Sequence, residues 1–422
     1  MDLSYLEIRG GVPLCGEVEV QGSKNGVLPI LAACMLGTGD CVIENCPSIR
    51  DVNDTLEIMK MLGCRVEQHA GTVRVDASEV CRYEITAMEA ARIRSSVLFL
   101  GALLGRMKKA VLPLPGGCAI GARPIDQHLW ALAHLGAEFS GETRIVASAE
   151  ELHGDIVSLP FPSVGATENT ILAAVCASGE TLIENAAREP EIDELCEFLN
   201  CRGARINREE NGSIRICGGI PLGPVCYRMK ADRIVTGTYL LAAAATGGMV
   251  RIVNDDASRL GMLTEVLDQM EVSISCREGA VCLDAQHVPE SRVCAVPYLE
   301  TAPHPGFPTD LQSPLMAALC RARGRSCICE KVFENRFCTA DELKKMGAKI
   351  EIQGSLAVID GVAQLHAGTL VPPDLRGGAA LVIAALQAKG STVISDMTYI
   401  DRGYEAIERD LARLGADIRR YR

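Results

Sequence analysis

The chain has 422 residues, of which 48% are hydrophobic and only 4% are aromatic. This length predicts two or three domains whose cores are built mainly from aliphatic side chains. The formal net charge of −12 and the isoelectric point near 5.2 argue against binding to nucleic acid or to anionic membranes. An anionic substrate would therefore need a local cluster of cationic side chains.

The chain begins with a strand-like segment from Tyr5 to Val20, followed by the phrase QGSKNG (residues 21–26). An apolar, helix-like run comes next, which places Lys24 at the start of a helix. A cation at this end opposes the helix dipole, and this favours a site for a bound anion. QGSKNG and the basic phrase YRMKADR (227–233) are the predicted crossings between two lobes.

A five-residue phrase occurs six times along the chain. It is LGCRV at Leu62, and it returns at intervals of roughly 70 residues as LGAEF, RGARI, MEVSI, MGAKI and LGADI. Each copy follows an amphipathic helical pattern and precedes the alternating pattern of a half-buried strand. The glycine at the second position predicts a helix end in the left-handed conformation, and Glu271 replaces it in the fourth copy.

Strand-like phrases such as DCVIENCP from Asp40 and ETLIENAA from Glu180 precede most of these helices. The repeated unit is therefore predicted as strand, helix, strand, helix, strand. Six copies are too many for one core, so we predict an α/β protein of two similar lobes with three units each. The predicted boundaries place residues 23–230 in one lobe and residues 1–22 plus 231–422 in the other, with a hinge built from both crossings.

The segment from Pro115 to His128, PGGCAIGARPIDQH, is the most distinctive stretch of the sequence. Its glycines predict a loop, and Cys118 lies in this loop with no apolar residue directly before it. We expect this thiol to be exposed, and Arg123 would stabilise its thiolate if the loop folds back. The alternative is that Cys118 is a small core residue, as free cysteines usually are.

Other polar phrases also stand at the starts of apolar helices, where free backbone N–H groups favour phosphate and carboxylate. If these phrases meet in a cleft between the lobes, they supply a set of cations and acids: Lys24, Arg94, Arg123, Arg336, Arg376, Arg402, Asp310, Glu334 and Asp374. Such a site suits a multiply charged phosphate compound together with a second substrate whose hydroxyl group needs a base.

Simpler interpretations stay open for most of these residues. Three acids are also candidates for helix caps alone: Asp126, Asp310 and Asp374. Two arginines that follow acids are candidates for surface ion pairs: Arg376 and Arg402. Arg94 is expected to be buried and paired, with either a protein group or a ligand as its partner. Four further residues are interpreted as structural: Glu189 and Glu191 as helix-start acids, and His128 and His304.

The 19 cysteines do not indicate a disulfide framework, because their number is odd and several lie in apolar runs. This predicts reduced thiols and a cytoplasmic location. The sequence lacks the spacing typical of zinc sites, so we expect no metal and no other cofactor. The amino terminus does not resemble a signal peptide, and the longest apolar runs are too short to cross a bilayer.

Nine phrases, in order along essentially the whole chain, resemble the UDP-N-acetylglucosamine 1-carboxyvinyltransferase family: QGSKN, PGGCAIGARPID, SVGAT, ENAAREPEI, DRIVTGT, TAPHPGFPTD, VFENRF, DLR and IDRGYE. The resemblance implies the enolpyruvyl transferase fold, an inside-out α/β barrel whose two lobes close over an active site in the cleft between them. It also implies transfer of the enolpyruvyl group of phosphoenolpyruvate (PEP) to the 3-hydroxyl of UDP-N-acetylglucosamine (UDP-GlcNAc), with release of phosphate, in the first committed step of peptidoglycan synthesis. The implied partners are these two small molecules.

The resemblance also implies roles for individual residues. Lys24, Arg123 and Arg402 would bind PEP, Cys118 would protonate its methylene carbon, and Asp310 would be the base for the sugar hydroxyl. The remaining residues implied to bind substrate are Asn25, Arg94, Pro124, Ile125, Asp126, Gln127, Ser163, Val164, Val332 and Arg376. Departures from the family's pattern at nucleotide contacts or in lobe packing are Asn53, Leu98, Phe161, Pro162 and Val235.

Two other functions are considered. The sister enolpyruvyl transferase acts on shikimate 3-phosphate and shares the fold, but the PGGCAIGARP loop argues against it. A paralogue that binds the nucleotide sugar without catalysis is the second, and the intact set of Lys24, Cys118, Asp310 and Arg402 argues against it. We therefore expect an enzyme of the first kind.

Overall fold

The computed structural model describes residues 4–90, 94–114, 125–277 and 279–421, with the backbone alone at 94 and 95. The described residues form two compact units, which we call unit I (between residues 22 and 230) and unit II (4–21 and 231–421). The predicted hinge between lobes stays a prediction.

Thirteen α-helices lie in the described residues: α1 (Lys24–Cys34), α2 (Arg50–Leu62), α3 (Ala87–Ala90), α4 (Phe99–Met107), α5 (Asp126–His134), α6 (Val164–Ala174), α7 (Pro190–Cys201), α8 (Arg233–Thr246), α9 (Leu263–Gln269), α10 (Gln312–Leu319), α11 (Thr339–Lys345), α12 (Leu375–Gln387) and α13 (Ile407–Arg413). The strands of the same residues are β1 (Tyr5–Arg9), β2 (Cys15–Val18), β3 (Cys41–Glu44), β4 (Arg65–His69), β5 (Thr72–Asp76), β6 (Lys109–Pro113), β7 (Glu138–Ser140), β8 (Arg144–Ser148), β9 (Ile156–Ser158), β10 (Glu180–Glu184), β11 (Arg205–Arg208), β12 (Ile214–Cys217), β13 (Val225–Arg228), β14 (Met249–Ile252), β15 (Ser273–Arg277), β16 (Ala280–Asp284), β17 (Leu299–Glu300), β18 (Arg325–Cys329), β19 (Lys349–Gln353), β20 (Leu356–Asp360), β21 (Thr369–Leu370), β22 (Ser391–Ser395) and β23 (Asp417–Tyr421).

The strands form six small sheets, three in each unit, as far as the described chain extends. Their orders in unit I are β13-β3-β5-β4, β6-β8-β7 and β11-β12-β10-β9, and in unit II β15-β16-β14-β2, β17-β18-β20-β19 and β21-β22-β1-β23. In five sheets an edge strand pairs in parallel with an otherwise antiparallel set. In the sheet of β6, an isolated parallel bridge from Glu84 to Val111 takes the place of this edge strand. The predicted α/β protein of six repeats, three in each unit, is therefore confirmed.

Counted along the chain, each of the six repeats has a short strand or bridge, a helix, a strand, a second helix and a two-stranded hairpin, which is one strand more than the sequence phrases predict. The sixth repeat lacks this final strand in its own part of the chain, and β1 supplies it from the amino-terminal part of the sequence. Tyr5 pairs with both Ser395 and Tyr421 in antiparallel register. Unit II is therefore built from both ends of the chain.

The two main helices of each repeat bury different fractions of their surfaces. The first is buried all round in α8, α10 and α12, where every residue is buried. The second is amphipathic, as in α2, which buries Val52, Leu56 and Met59 on one face. The buried apolar side chains form one cluster in each unit. The start of each buried helix therefore places polar side chains next to the core of its unit.

Left-handed residues follow the amphipathic helices as predicted. The glycines at positions 63, 136, 203, 347 and 415 have φ between +91° and +109°, and Glu271 adopts φ +60° at the position that lacks glycine. A side chain in this conformation meets a steric penalty that glycine avoids. Glu271 is therefore a strained position in an otherwise regular series.

Replacing Glu271 with glycine is expected to raise the free energy of unfolding by about 1 kcal/mol. The exposed ion pair of Glu271 with Arg323 is lost in this variant, but such pairs contribute little. Gly415→Ala is the matched opposite change and should lower stability by about 1 kcal/mol. The nearest described atom to its new Cβ is 3.9 Å away, so conformation alone is tested. Urea unfolding measures the stability of both variants. A loss of stability in Glu271→Gly would contradict the inference that the backbone at Glu271 is strained.

Candidate active site

The predicted site residues are distributed over both units. Cys118, Arg123 and Pro124 lie outside the described residues. Arg94 begins a short 3-10 helix that ends at Leu98, and its side chain is not described. The remaining predicted residues can be placed.

Lys24 is the first residue of α1, as the sequence predicts. Its Nζ lies 3.2 Å from Oδ2 of Asp51, near the start of α2, and the two side chains are only 14% and 5% exposed. Ser23 caps the helix by accepting a hydrogen bond from the backbone N–H of Gly26 at 3.1 Å. Because a cation at a helix start is unfavourable, the Asp51 carboxylate offsets its cost. Asn25 follows in the same turn and is half-buried.

Three predicted residues stand together at the start of α5. Ile125 precedes the helix and provides no side-chain cap, and Asp126 is its exposed first residue. The Oε1 atom of Gln127 is buried and has no hydrogen-bond partner among the described residues. Asp126 thus lies in the first turn of the helix, so the interpretation that it is the cap is wrong.

Ser163 and Val164 stand at the start of α6. The Ser163 Oγ accepts a hydrogen bond from the backbone N–H of Ala166 at 3.4 Å, and its carbonyl accepts one from the Thr167 hydroxyl at 2.8 Å. Ser163 and Val164 are both half-buried. This helix start is therefore well ordered by local hydrogen bonds and still accessible.

Asn169 on α6 connects these helix starts. Its Nδ2 donates to Nδ1 of His128 on α5 at 2.9 Å and to the carbonyl of Val97 at 3.1 Å. Its Oδ1 accepts from the N–H of Gly101 on α4 at 2.6 Å. One buried amide thus brings the turn after Arg94 close to the helices that begin at Asp126 and Val164. Asn169 could not be recognised from the sequence, because an amide within an apolar helix gives no local signal of its partners.

His128 is structural, as predicted. It is 7% exposed, and burial lowers its pKa to about 4 although Asp126 acts in the opposite direction. The unfolded chain therefore binds a proton between pH 6.5 and about 4 that the folded chain rejects. The folded state loses stability as pH falls through this window, and keeps it above pH 6.5.

We expect His128 to contribute a loss of about 3 kcal/mol in unfolding free energy between pH 7 and pH 4. His128→Gln is neutral throughout and can still accept from Asn169, so it should remove this part of the pH dependence. Urea unfolding of both proteins at several pH values measures the difference. Equal slopes in the two proteins would contradict the assignment.

Asp310 is the centre of the predicted residues in unit II. It lies in a 3-10 turn (Thr309–Leu311) just before α10. Its Oδ1 is 2.9 Å from Nη2 of Arg336, and its Oδ2 is 2.9 Å from Nη2 of Arg376. The Asp310 side chain is 28% exposed, whereas both arginine side chains are only 3% exposed. Asp310 is therefore an accessible carboxylate held by two buried guanidinium groups, and the interpretation that it is only a helix cap is wrong.

Arg376 is buried in α12, so the interpretation that it forms a surface ion pair is also wrong. Burial by itself would lower the pKa of Arg376, but the Asp310 carboxylate, together with Tyr404 and Asp232, outweighs burial and the pKa is raised. Asp374, by contrast, is a helix cap: its Oδ1 accepts from the backbone N–H groups of Arg376 at 2.9 Å and Gly377 at 3.0 Å. This cap fixes the backbone from which Arg376 extends.

Val332 is positioned by Glu330, a residue that no sequence motif indicated. The Glu330 carboxylate accepts hydrogen bonds from the backbone N–H of Val332 at 2.8 Å and from the hydroxyls of Thr301 at 2.8 Å and Thr309 at 2.9 Å. It is only 4% exposed. Glu330 thus holds the VFENRF segment close to the turn that carries Asp310. Glu334 in this segment is exposed.

Arg402 ends a 3-10 turn (Ile400–Arg402) and is half-buried. Gln21 holds the residues after it, since its Nε2 donates to the carbonyl of Gly403 at 3.1 Å and its Oε1 accepts from the N–H of Glu405 at 2.7 Å. Arg420 holds the residue before it through Asp401. The segment that carries Arg402 is therefore fixed on both sides.

The cysteines of the described chain are thiols. Cys118 lies outside that part, and the other eighteen are free. Seven of these are exposed: Cys15, Cys81, Cys201, Cys217, Cys226, Cys276 and Cys338. No helix of the described residues is both long and apolar enough to span a bilayer.

Comparison with known proteins assigns the family. A family model described as EPSP synthase (3-phosphoshikimate 1-carboxyvinyltransferase) matches residues 8–411. UDP-N-acetylglucosamine 1-carboxyvinyltransferases of Trichlorobacter lovleyi and Geobacter metallireducens are each 43% identical over 99% of this chain and 99% of their own. The chain belongs to the UDP-N-acetylglucosamine 1-carboxyvinyltransferase family. A further relative of this family, from Symbiobacterium thermophilum, is 45% identical over 98% of this chain and 94% of its own.

Solved structures agree with this family assignment. The enolpyruvyl transferase NikO from Streptomyces tendae matches with a TM-score of 0.88 and 26% identity over 99% of both chains. An EPSP synthase from Acinetobacter baumannii matches with a TM-score of 0.73 and 19% identity over 100% of both chains, which supports the fold alone. The resemblance and the enolpyruvyl transferase fold predicted from the sequence are confirmed, and a protein of this family is an enzyme.

Proposed function

We propose that this protein transfers the enolpyruvyl group of PEP to the 3-hydroxyl of UDP-GlcNAc and releases phosphate. The observation that carries the proposal is the Asp310 carboxylate, which is accessible and held on both oxygens by Arg336 and Arg376. A fixed acceptor of this kind suits a reaction in which a hydroxyl must lose its proton as it attacks.

The proposed roles follow the motifs. Lys24, Arg123 and Arg402 bind the carboxylate and phosphate of PEP. The nucleotide sugar is bound by Asn25, Arg94, Pro124, Ile125, Asp126, Gln127, Ser163, Val164, Asp310 and Val332. Arg376 completes the substrate site through Asp310. The accessible helix starts of α5 and α6 support these roles in unit I, because they present backbone N–H groups and polar side chains.

The proposed reaction is an addition to PEP followed by an elimination of phosphate. Cys118 donates a proton to the methylene carbon of PEP, and positive charge develops at the neighbouring carbon. The sugar 3-hydroxyl forms its C–O bond there while Asp310 takes the hydroxyl proton. The bond from this carbon to the phosphate oxygen then breaks, and phosphate leaves with the electron pair. The Cys118 thiolate takes a proton back from the methyl carbon, which regenerates the thiol and restores the carbon–carbon double bond, now in an enol ether.

The two arginines determine what kind of base Asp310 is. Guanidinium donors stabilise the ionised carboxylate, so it is a weak base toward an ordinary alcohol. A carboxylate oxygen carries two lone pairs, so a guanidinium donor on it does not by itself prevent a hydrogen bond from the sugar hydroxyl. Asp310 therefore takes the proton only as the attacking hydroxyl becomes acidic during bond formation. This order avoids forming a free alkoxide.

The proposal places the protein in the cytoplasm, in the first committed step of peptidoglycan synthesis and hence in cell wall formation, cell shape and cell division. The reduced cysteines and the acidic composition support this location. We propose PEP and UDP-GlcNAc as its partners, with no role for nucleic acid or a membrane.

Phosphate release from PEP with a single acceptor present tests the function. Release with UDP-GlcNAc and none with shikimate 3-phosphate is the expected result. Release with shikimate 3-phosphate alone would assign the sister activity. No release with either acceptor, together with binding of UDP-GlcNAc, would assign a binding protein without catalysis.

A further inference from the structure

A buried tyrosine contacts the guanidinium group that holds Asp310. Nη2 of Arg376 donates to Oδ2 of Asp310 at 2.9 Å, and Nη1 of the same group donates to the hydroxyl of Tyr404 at 3.3 Å. Tyr404 is 1% exposed, and Arg376 is 3% exposed. One guanidinium therefore bridges the proposed base and a hydroxyl that the mechanism above does not use.

The hydrogen bonds of Tyr404 have only one consistent direction. Oγ1 of Thr238 lies 2.7 Å from the carbonyl of Ile234, which can only accept, so Thr238 donates its proton there. The contact of 2.9 Å between the hydroxyls of Thr238 and Tyr404 must then be donated by Tyr404. The remaining lone pairs of Tyr404 accept from Arg376, whose guanidinium has donors only. The chain of donors runs from Arg376 through Tyr404 and Thr238 to Ile234.

The tyrosine ring makes a second contact with the same cation. The guanidinium carbon of Arg376 lies 5.6 Å from the centre of the Tyr404 ring, within the range of a cation–π interaction. A buried guanidinium is costly unless its donors are satisfied. Tyr404 therefore fixes both the position of Arg376 and the direction of its donors.

We propose that Tyr404 is a positioning residue for enolpyruvyl transfer, one that directs Arg376 toward Oδ2 of Asp310. The inference rests on the proposed function, because it assigns a use to the orientation of Asp310. Tyr404 need not touch substrate in this role. It acts through Arg376, and its own support comes from Thr238.

Other charged groups limit the expected effect. Arg336 holds Oδ1 of Asp310 independently and lies 4.0 Å from Asp374. Asp232 also acts electrostatically on Arg376. Loss of the Tyr404 hydroxyl should therefore misorient one of the two arginines without dismantling the cluster.

Tyr404→Phe removes the hydroxyl and keeps the ring, and Thr238→Val removes the group that orients it. We expect each change to lower kcat about tenfold, with KM for UDP-GlcNAc changed by less than about twofold. The acidic limb of the kcat–pH profile should move to higher pH, because a carboxylate with fewer donors is protonated more readily. The double variant of Tyr404→Phe and Thr238→Val should lose no more activity than Tyr404→Phe alone, since both changes interrupt the same series of hydrogen bonds.

Tyr239→Phe is the matched control. Tyr239 is also buried in unit II, and its hydroxyl donates to Oδ2 of Asp410 at 3.1 Å. Its loss should lower stability but leave kcat and the acidic limb unchanged. If wild-type protein turns over and Tyr404→Phe and Thr238→Val behave like this control, the positioning role is overturned and the proposed function stands. If wild-type protein releases no phosphate, both are overturned.

Discussion

Asp310→Asn is expected to lower kcat by about 10²- to 10⁴-fold, the usual contribution of a general base. Asparagine keeps the shape of the side chain and can accept a hydrogen bond from the sugar hydroxyl, but it cannot take the proton. Its Nδ2 also faces one guanidinium donor, so some loss of stability accompanies the change. Binding of UDP-GlcNAc should change little. Phosphate release measures turnover, and titration calorimetry measures binding.

Asp341→Asn is the control for this prediction, because it makes the same chemical change at a side chain that is 82% exposed. It should leave both turnover and binding unchanged. Weak binding of UDP-GlcNAc with normal turnover in Asp310→Asn would reverse the role proposed for Asp310. In that case the carboxylate would serve binding, and the base would have to be sought elsewhere.

The second large effect concerns Cys118. Fosfomycin is an epoxide that mimics PEP, and we expect it to abolish activity by alkylating this one thiol. Attack by sulfur forms a C–S bond and opens the epoxide C–O bond, and it requires cations that hold the phosphonate beside the thiol. PEP should slow the inactivation because it competes for the same cations. Peptide mapping locates the label.

The chain provides its own controls for this labelling. Seven described cysteines are exposed, and a reagent that reacted with thiols by access alone would label several of them. We expect no label on these seven, and none on any peptide of Cys118→Ser. Label spread over many cysteines would contradict a selective thiol at position 118.

The repeats, the helix ends and Asp374 as a cap could be predicted because each is a local property of the chain. A helix that ends in glycine shows the same pattern in every copy, and even the exception at Glu271 adopts the expected left-handed backbone. The six sheets follow from the same repetition. The strand-like segment from Tyr5 and its lobe could be predicted, but not its place between β22 and β23 in the sheet of the sixth repeat, because β1 comes from the opposite end of the sequence.

The partners of the site residues could not be predicted from the sequence. Asp51, Glu330 and Asn169 each act across segments whose contact depends on packing in three dimensions. Asp310 and Asp374 have equivalent local settings before helices, yet one caps its helix and the other binds two arginines. Local pattern identifies residues that can do chemistry, whereas tertiary packing decides which of them meet.

A crystal structure with UDP-GlcNAc bound tests the central claim most directly. We predict that the 3-hydroxyl oxygen of the sugar lies about 3 Å from the Asp310 carboxylate, with the nucleotide against Ser163 and Val164. Arg336 and Arg376 should keep their contacts with Asp310 in this complex. A nucleotide sugar bound with its 3-hydroxyl far from Asp310 would contradict the account.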